Sequence, residues 1–153
     1  MLFRSLNTTH GRITISSLAD KPGLCSKIFQ AVAAGGIIVD MIVQNLPRPG
    51  QAELSFSVPS KDVAKAKQLT EQVVQTLDER AQVGAEPQIA KVLVFGVGMR
   101  THTGVARRMF GELAARGINI SMINTSEVCV SVVVDQQRGQ EALECLRKAF
   151  EVG

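Results

Sequence analysis

The chain has 153 residues and a net charge of +3, and its 45% hydrophobic and 20% charged residues are typical of a folded globular protein rather than a disordered one. It contains no Trp or Tyr, so it lacks the usual aromatic platforms for stacking bases, and we expect no nucleic-acid partner. Neither a membrane-length apolar run nor the apolar segment of a signal peptide occurs, which predicts a cytoplasmic protein with no membrane partner.

The first half of the chain predicts the order β-α-β-β-α-β, which is the split unit of ferredoxin-like sheets. In chain order, the predicted elements are a strand over 12–18, a helix from Pro22 to Gly35-Gly36, strands over 37–46 and 54–58, a helix over 61–77 and a short strand over 82–85.

Three local expectations accompany these elements. Alternation predicts that Ile13, Ile15 and Ser17 share one face of the first strand and that Leu18 lies on the other. The β-branched run over 37–46 predicts a well-buried strand. A hydroxyl at Ser60 predicts the cap of the second helix.

The second half repeats this order. Its predicted elements are strands over 91–96, 119–125 and 128–134 and helices over 103–115 and 139–150. The chain ends just after the last helix, so we expect residues 2–8 to supply the missing strand. The predicted fold is α+β, with two ferredoxin-like βαββαβ units packed together, antiparallel sheets and helices on one face. The expected domains are 11–88 and 89–153, with 1–10 contributing an edge strand to the second.

A duplication supports this division. Eight residues recur at one fixed spacing, since 104 − 23 and 123 − 42 both give 81. Gly23, Phe29, Ala33, Ala34, Gly36, Ile37, Met41 and Ile42 recur as Gly104, Phe110, Ala114, Ala115, Gly117, Ile118, Met122 and Ile123. The constant spacing indicates one structural unit made twice, with a turn and a helix start at its centre.

Both copies place a glycine where a helix begins. Backbone N–H groups at 23–25 and at 104–106 would face a ligand, and such a site favours a carboxylate or a phosphate. Asp20 and Asp40 could receive an ammonium group, so the pattern predicts a site for a free amino acid. The alternative is that Gly23 and Gly104 merely make turns.

Other chemistry is poorly supported by the residues. Gly96-Val97-Gly98 lacks a third glycine, because Thr101 stands at that position, so a nucleotide site is not favoured. His102 has no nearby acid to orient it, and a hydrolytic triad is not expected. Three dispersed cysteines without a CxxC pattern predict packed thiols, and two histidines are too few for a metal site. We expect no metal and no cofactor. Thr125-Ser126-Glu127 is either a bare polar hairpin or a set of ligands.

Several motifs resemble one family. Those motifs are Asp20-Lys21-Pro22-Gly23, Val39-Asp40-Met41-Ile42-Val43-Gln44-Asn45, Gly96-Val97-Gly98-Met99-Arg100, Asn119-Ile120 and Thr125-Ser126-Glu127-Val128. From about Gly11 to Phe150, the chain is similar to the tandem ACT domains at the C-terminus of aspartate kinase. The resemblance implies a homodimer whose ACT sheets lie side by side and bind threonine, lysine or both at the interfaces.

The resemblance also implies two effector sites. One would use Asp20, Gly23, Leu24, Cys25, Gln44 and Asn45, closed by Asn119 and Ile120. The other would use His102, Gly104, Val105 and Ala106 with Thr125, Ser126 and Glu127, closed by Asp40. Two positions depart from the family, which usually has proline at Thr103 and a small residue at Cys25.

The resemblance covers no kinase domain, so we expect the chain to be inactive alone and to work with an aspartate kinase catalytic domain or large subunit. It would be the C-terminal fragment of a longer enzyme or a separate small subunit. Binding of the end-product amino acid would then mediate feedback inhibition of ATP-dependent aspartate phosphorylation. Two alternatives stay open: a non-sensing dimerisation scaffold of the same enzyme, and an ACT-type regulator of another enzyme or of transcription.

Overall fold

A computed structural model describes residues 3–95, 102–125 and 129–151. The chain forms two compact units. The first unit is Thr9–Gln88, and the second unit combines Met1–Thr8 with Ile89–Gly153. No helix in the described ranges is long and apolar enough to cross a membrane.

Strands and helices follow the predicted order. They are β1 (Phe3–Ala19), α1 (Leu24–Ala34), β2 (Ile42–Arg48), β3 (Gln51–Pro59), α2 (Val63–Leu77), β4 (Gln82–Phe95), α3 (His102–Ala115), β5 (Met122–Thr125), β6 (Cys129–Asp135) and α4 (Gly139–Glu151). Short 3-10 turns at Ser60–Asp62 and Gln136–Arg138 precede α2 and α4. Mixed helices and antiparallel strands confirm the α+β, ferredoxin-like class.

In the first unit the strands lie in the order β2-β3-β1-β4, and α1 and α2 cover one face. Ile13 and Ile15 of β1 pair with Phe56 and Leu54 of β3, and all four are fully buried with α1 residues such as Ile28. The Phe56 ring meets the Phe29 ring edge to face, with centroids 5.2 Å apart. Burial of these large side chains is the main stabilising term of the unit.

The predicted faces of β1 are wrong at its end. The β1–β3 register shifts between Ile15 and Leu18, and Ser17 adopts a left-handed backbone with φ 58°. This bulge reverses the alternation, so Leu18 is buried in the core and Ser17 is exposed.

The predicted burial of the run 37–46 holds at Ile37 and Met41, which are buried before the strand, but it is wrong along the strand itself. Its strand, β2, begins only at Ile42 and lies at the end of the strand order, paired with β3. Ile42 is 56% exposed and Leu46 is 61% exposed. β-branched residues predict a strand, but they do not distinguish an edge strand from a central one.

The predicted Ser60 cap is wrong as well. Ser60 opens the short 3-10 turn, and α2 begins at Val63. Among the described residues the buried Ser60 hydroxyl has no hydrogen-bond partner. The predicted strand over 82–85 is the start of the longer strand β4. The Glu86 carboxylate of β4 forms an ion pair with the Arg12 guanidinium of β1.

In the second unit the strands lie in the order β1-β4-β6-β5, with α3 and α4 over one face. Its core includes Val92, Met109, Val132 and Leu146, and Leu6 from the start of β1 packs against it. The strand predicted over 119–125 starts only at Met122. Ser121 before it donates both its N–H and its hydroxyl to the carbonyl of Val133, at 2.8 and 3.1 Å.

Matching caps end the first helix of each unit. Gly36 after α1 and Gly117 after α3 have left-handed φ values of 77° and 68°, as predicted for helix-ending glycines. Lys65 donates to the carbonyl of Gly35 at 2.7 Å, and Arg138 donates to the carbonyl of Arg116 at 2.9 Å. A cation therefore caps the carbonyl end of each helix, where the helix dipole favours it.

Candidate functional site

The predicted amino-acid site centres on the first loop, which we define as residues 19–23 between β1 and α1. Gly23 is the N-cap of α1 and has φ 89°, ψ −13°. The first helical hydrogen bond runs from the Lys27 N–H to the Gly23 carbonyl, at 3.1 Å. Helix geometry therefore leaves the N–H groups of Leu24, Cys25 and Ser26 without an intrahelical acceptor.

The surroundings of this helix start are open. No side chain in the described part of the chain caps α1. Gly23 is exposed, and a Cβ built on it would meet no atom within 4 Å. The exposed Gly23 therefore leaves space beside the positive end of the α1 dipole, which favours a carboxylate.

Three backbone hydrogen bonds hold the first loop. The Asp20 N–H donates to the Gly50 carbonyl at 3.0 Å, and the Lys21 N–H donates to the Ala19 carbonyl at 3.0 Å. The Ala19 N–H donates to Oδ2 of Asp78 at 2.8 Å. The loop thus enters α1 in a defined conformation, with the Asp20 side chain exposed beside it.

The second helix start differs from the first. Helix α3 begins at His102, so Gly104 lies inside its first turn and is not among the glycines with positive φ. The N–H of Ala106 falls within the helical hydrogen-bonding range of the His102 carbonyl. The role predicted for the N–H groups at 104–106 therefore stays a prediction, and only Gly104 of these three residues precedes Val105 and Ala106 in the first turn of α3.

Gln44 and Asn45 lie on the edge strand β2, where both are exposed. Gln44 pairs with Leu54 and Asn45 pairs with Glu53, so their side chains point to opposite faces of the sheet. Asp20 follows Ala19, which pairs with Gln51 on β3. Gln44 is therefore about 10 Å along the strands and about 10 Å across them from the first loop. Within the first unit alone, these groups leave the predicted pocket open.

The remaining predicted residues are distributed as follows. Asp40 is exposed just before β2, and its N–H donates to the Ser57 carbonyl at 2.9 Å. In the second unit Asn119 is exposed, whereas Ile120 packs partly against the core. Thr125 is exposed at the end of β5, and Val105 lies in α3. Ser126, Glu127 and the motif 96–100 lie outside the described residues. The site memberships of all these residues stay predictions.

The three cysteines are free thiols. Burial raises the pKa of the Cys129 thiol, although nearby Lys91 opposes this effect. Burial likewise raises the pKa of Cys145, whose thiol donates to the Glu112 carbonyl at 3.4 Å. Both thiols therefore stay protonated and unreactive near neutral pH. Across the described ranges, no three His, Cys, Asp or Glu side chains are grouped as metal ligands.

Sequence reasoning missed a cleft of about 510 Å³ beside the first loop. Its walls include Ser17, Lys21, Gln51, Asp78 and Arg80. The Asp78 carboxylate also accepts a hydrogen bond from Ala19, which is 59 residues away in sequence. No local pattern marks such a residue, because an acid after a helix is usually an exposed turn residue.

Comparison with known proteins then assigns the chain. The ACT domain family matches residues 92–150. Aspartokinase from Pseudomonas aeruginosa is 39% identical over 148 residues, which cover 97% of this chain. The crystal structure of aspartokinase alpha and beta subunits has a TM-score of 0.89 at 37% identity, covering 97% of each chain. The ligand-free regulatory subunit of aspartate kinase from Thermus thermophilus has a TM-score of 0.88 at 35% identity, covering 96% of each.

The chain belongs to the aspartate kinase family. It corresponds to the regulatory ACT region, and the resemblance seen in its motifs is confirmed. This regulatory region spans 36% of the length of the P. aeruginosa relative. The ferredoxin-like fold of the regulatory region is likewise confirmed by its match to these regulatory subunits.

Proposed function

We propose that this regulatory region binds threonine, lysine or both and thereby mediates feedback inhibition of ATP-dependent aspartate phosphorylation. Its partner is an aspartate kinase catalytic domain or large subunit in the cytoplasm, and the pathway is the biosynthesis of lysine, threonine and methionine. The chain itself carries no catalysis in this proposal. The two ACT repeats are assigned to 11–88 and 89–153, with 1–10 contributing an edge strand to the second.

The observation that carries the proposal is the open helix start at Gly23. Its N–H groups, the positive end of the helix dipole and the free space before it suit the carboxylate of an amino acid. The exposed carboxylate of Asp20, in the loop that leads to Gly23, suits its ammonium group. Opposite charges on one small molecule are thus matched by opposite charges on the protein.

The first effector site is assigned to Asp20, Gly23, Leu24, Cys25, Gln44 and Asn45, closed by Asn119 and Ile120. The second effector site is assigned to His102, Gly104, Val105, Ala106, Thr125, Ser126 and Glu127, closed by Asp40. Since Gln44 and Asn45 leave the first site open within their own unit, residues from outside that unit are needed to complete it. A site between chains is consistent with this requirement.

Pairing of two chains is supported by the apolar edge of the first unit. Ile42 and Leu46 are 56% and 61% exposed on β2, at the end of the strand order. Ile123, which recurs at the fixed spacing from Ile42, is 46% exposed on β5. An edge strand presents unpaired N–H and C=O groups that can pair with a strand of another chain. We propose that the sheets of two copies lie side by side along these edges.

In this mechanism the effector binds one arrangement of the dimer more tightly than another. A coupling free energy of about 1–3 kcal/mol, transmitted to the catalytic partner, is enough to inhibit it.

Calorimetric titration of the wild-type chain with threonine and with lysine tests the proposal directly. We expect saturable heat with at least one of them. No heat with either at millimolar ligand would favour the alternative, a non-sensing dimerisation scaffold of the same enzyme. That alternative is supported by the same apolar edge, since a strand edge can pair without a ligand.

Gln44→Ala tests the site assignment. We expect weaker effector binding with a nearly unchanged melting temperature, because Gln44 is exposed on an edge strand. Gln72→Ala on the exposed side of α2 is the matched control and should change neither quantity. A large fall in melting temperature for Gln44→Ala would assign this residue a structural role instead.

Ile42→Asp tests the dimer edge. Sedimentation should show the variant shifted towards monomer, because a carboxylate then has to be desolvated at the interface. Gln75→Asp, at an exposed position of α2, should sediment as the wild type does. If both variants remain dimeric, β2 is not the contact.

A further inference from the structure

We propose that Asp78 is a positioning residue that holds the first loop in the conformation that binds the effector. The inference rests on the proposed function and adds to it a residue that contacts no ligand. Two observations support it: the Asp78 carboxylate accepts two hydrogen bonds, and the segment that one of them restrains contains the strained residue Ser17.

The Asp78 carboxylate joins two distant segments of the first unit. Its Oδ2 accepts from the Ala19 N–H at 2.8 Å, and its Oδ1 accepts from the Arg80 N–H at 3.0 Å. Both oxygens are therefore engaged, and the side chain is half-buried. The Asp78 N–H itself donates to the Val74 carbonyl at 2.8 Å, which ties the residue to the end of α2.

The segment around Ala19, whose N–H donates to Asp78, needs a restraint from another part of the unit. Ser17, two residues before Ala19, is held in the left-handed region at φ 58°, which a serine adopts at a cost. Such a conformation persists only where surrounding contacts enforce it. The bond from Ala19 to Asp78 is one such contact on the loop side of the bulge, and the bond from Asp20 to Gly50 is another.

The restraint extends to the helix start. Ala19 also accepts from the Lys21 N–H, so fixing Ala19 fixes the tight turn that leads to Gly23. The direction of the N–H groups of α1 relative to Asp20 follows from that turn. Removing the carboxylate leaves the Ala19 N–H without its acceptor and lets the turn relax, which misaligns the groups that face the effector.

The test combines calorimetry with hydrogen exchange on the full chain. Asp78→Ala should weaken binding of threonine or lysine by about tenfold, because binding then has to reorder a loop that the wild type holds in place. Asp78→Asn keeps one of the two oxygen acceptors, which can still accept from the Ala19 N–H, and it should restore part of the affinity. Glu79→Ala, the exposed acid next in the chain, is the matched control and should bind as the wild type does. Exchange of the Ala19 amide should accelerate in Asp78→Ala and not in Glu79→Ala.

The outcomes separate the two proposals. If the wild type binds neither amino acid, the proposed function fails, and exchange of the Ala19 amide still decides whether Asp78 holds the loop. If the wild type binds but Asp78→Ala binds equally well, the positioning role is overturned. If Asp78→Ala does not fold, Asp78→Glu replaces it, because the carboxylate is then displaced by one methylene. Affinity and Ala19 exchange unchanged in that variant would overturn the inference.

Discussion

The two helix starts predict opposite effects of one substitution. In Gly23→Ala the new methyl group enters open space, so the change in stability comes from the backbone alone. An alanine at φ 89° costs about 1–2 kcal/mol relative to glycine. Reduced freedom of the unfolded chain offsets about 0.4–1 kcal/mol of this cost. We therefore expect a net loss of about 1 kcal/mol in the free energy of unfolding.

Gly111→Ala provides the comparison, because its methyl group also enters open space but the residue lies inside α3. Alanine is more favourable than glycine in a helix interior by about 0.8–1 kcal/mol, so this variant should gain stability. Gly104→Ala is the decisive case. The duplication pairs Gly104 with Gly23, whereas the structure places it within α3 without a positive φ. Gly104→Ala should therefore resemble Gly111→Ala in sign.

Urea unfolding of the full chain, followed by circular dichroism, measures all three changes. Gly23→Ala and Gly111→Ala should differ by about 2 kcal/mol. A destabilising Gly104→Ala would show that the second helix start contains a left-handed glycine like the first. A neutral or stabilising Gly23→Ala would refute the left-handed conformation at the first loop.

Two further predictions concern the core and the pH dependence of stability. Phe56→Ala should cost about 3–5 kcal/mol in unfolding free energy, because the ring is fully buried against Phe29; a loss below about 1 kcal/mol would contradict this packing. A hydrogen bond from Arg138 lowers the pKa of the Glu141 carboxyl. Since the folded pKa lies below the unfolded value of about 4.3, the contribution of Glu141 is present above that pH and is lost as the pH falls through the folded pKa. The stability difference between the wild type and Glu141→Gln should therefore shrink on acidification, and a difference that grows would exclude this pairing.

Local sequence determined a large part of this fold. The order of helices and strands, the duplication and the glycines that end α1 and α3 all depend on residues close together in the chain. Hydrophobic periodicity and the backbone preferences of glycine and proline act over a few residues, so they can be recognised in the sequence without knowledge of tertiary contacts. The motifs that identified the family are legible for the same reason.

Tertiary structure decided the rest. The bulge at Ser17 depends on the register between β1 and β3, and the exposure of β2 depends on its place at the end of the strand order. The bond from Ala19 to Asp78 joins residues far apart in sequence. The pairing partner of a strand and the burial of a side chain depend on which elements meet in space. The residues next to a strand or an acidic side chain in sequence do not indicate which elements those are. The chain alone therefore predicted the turn and the helix start at the first loop, and the fold determined what holds that loop in place.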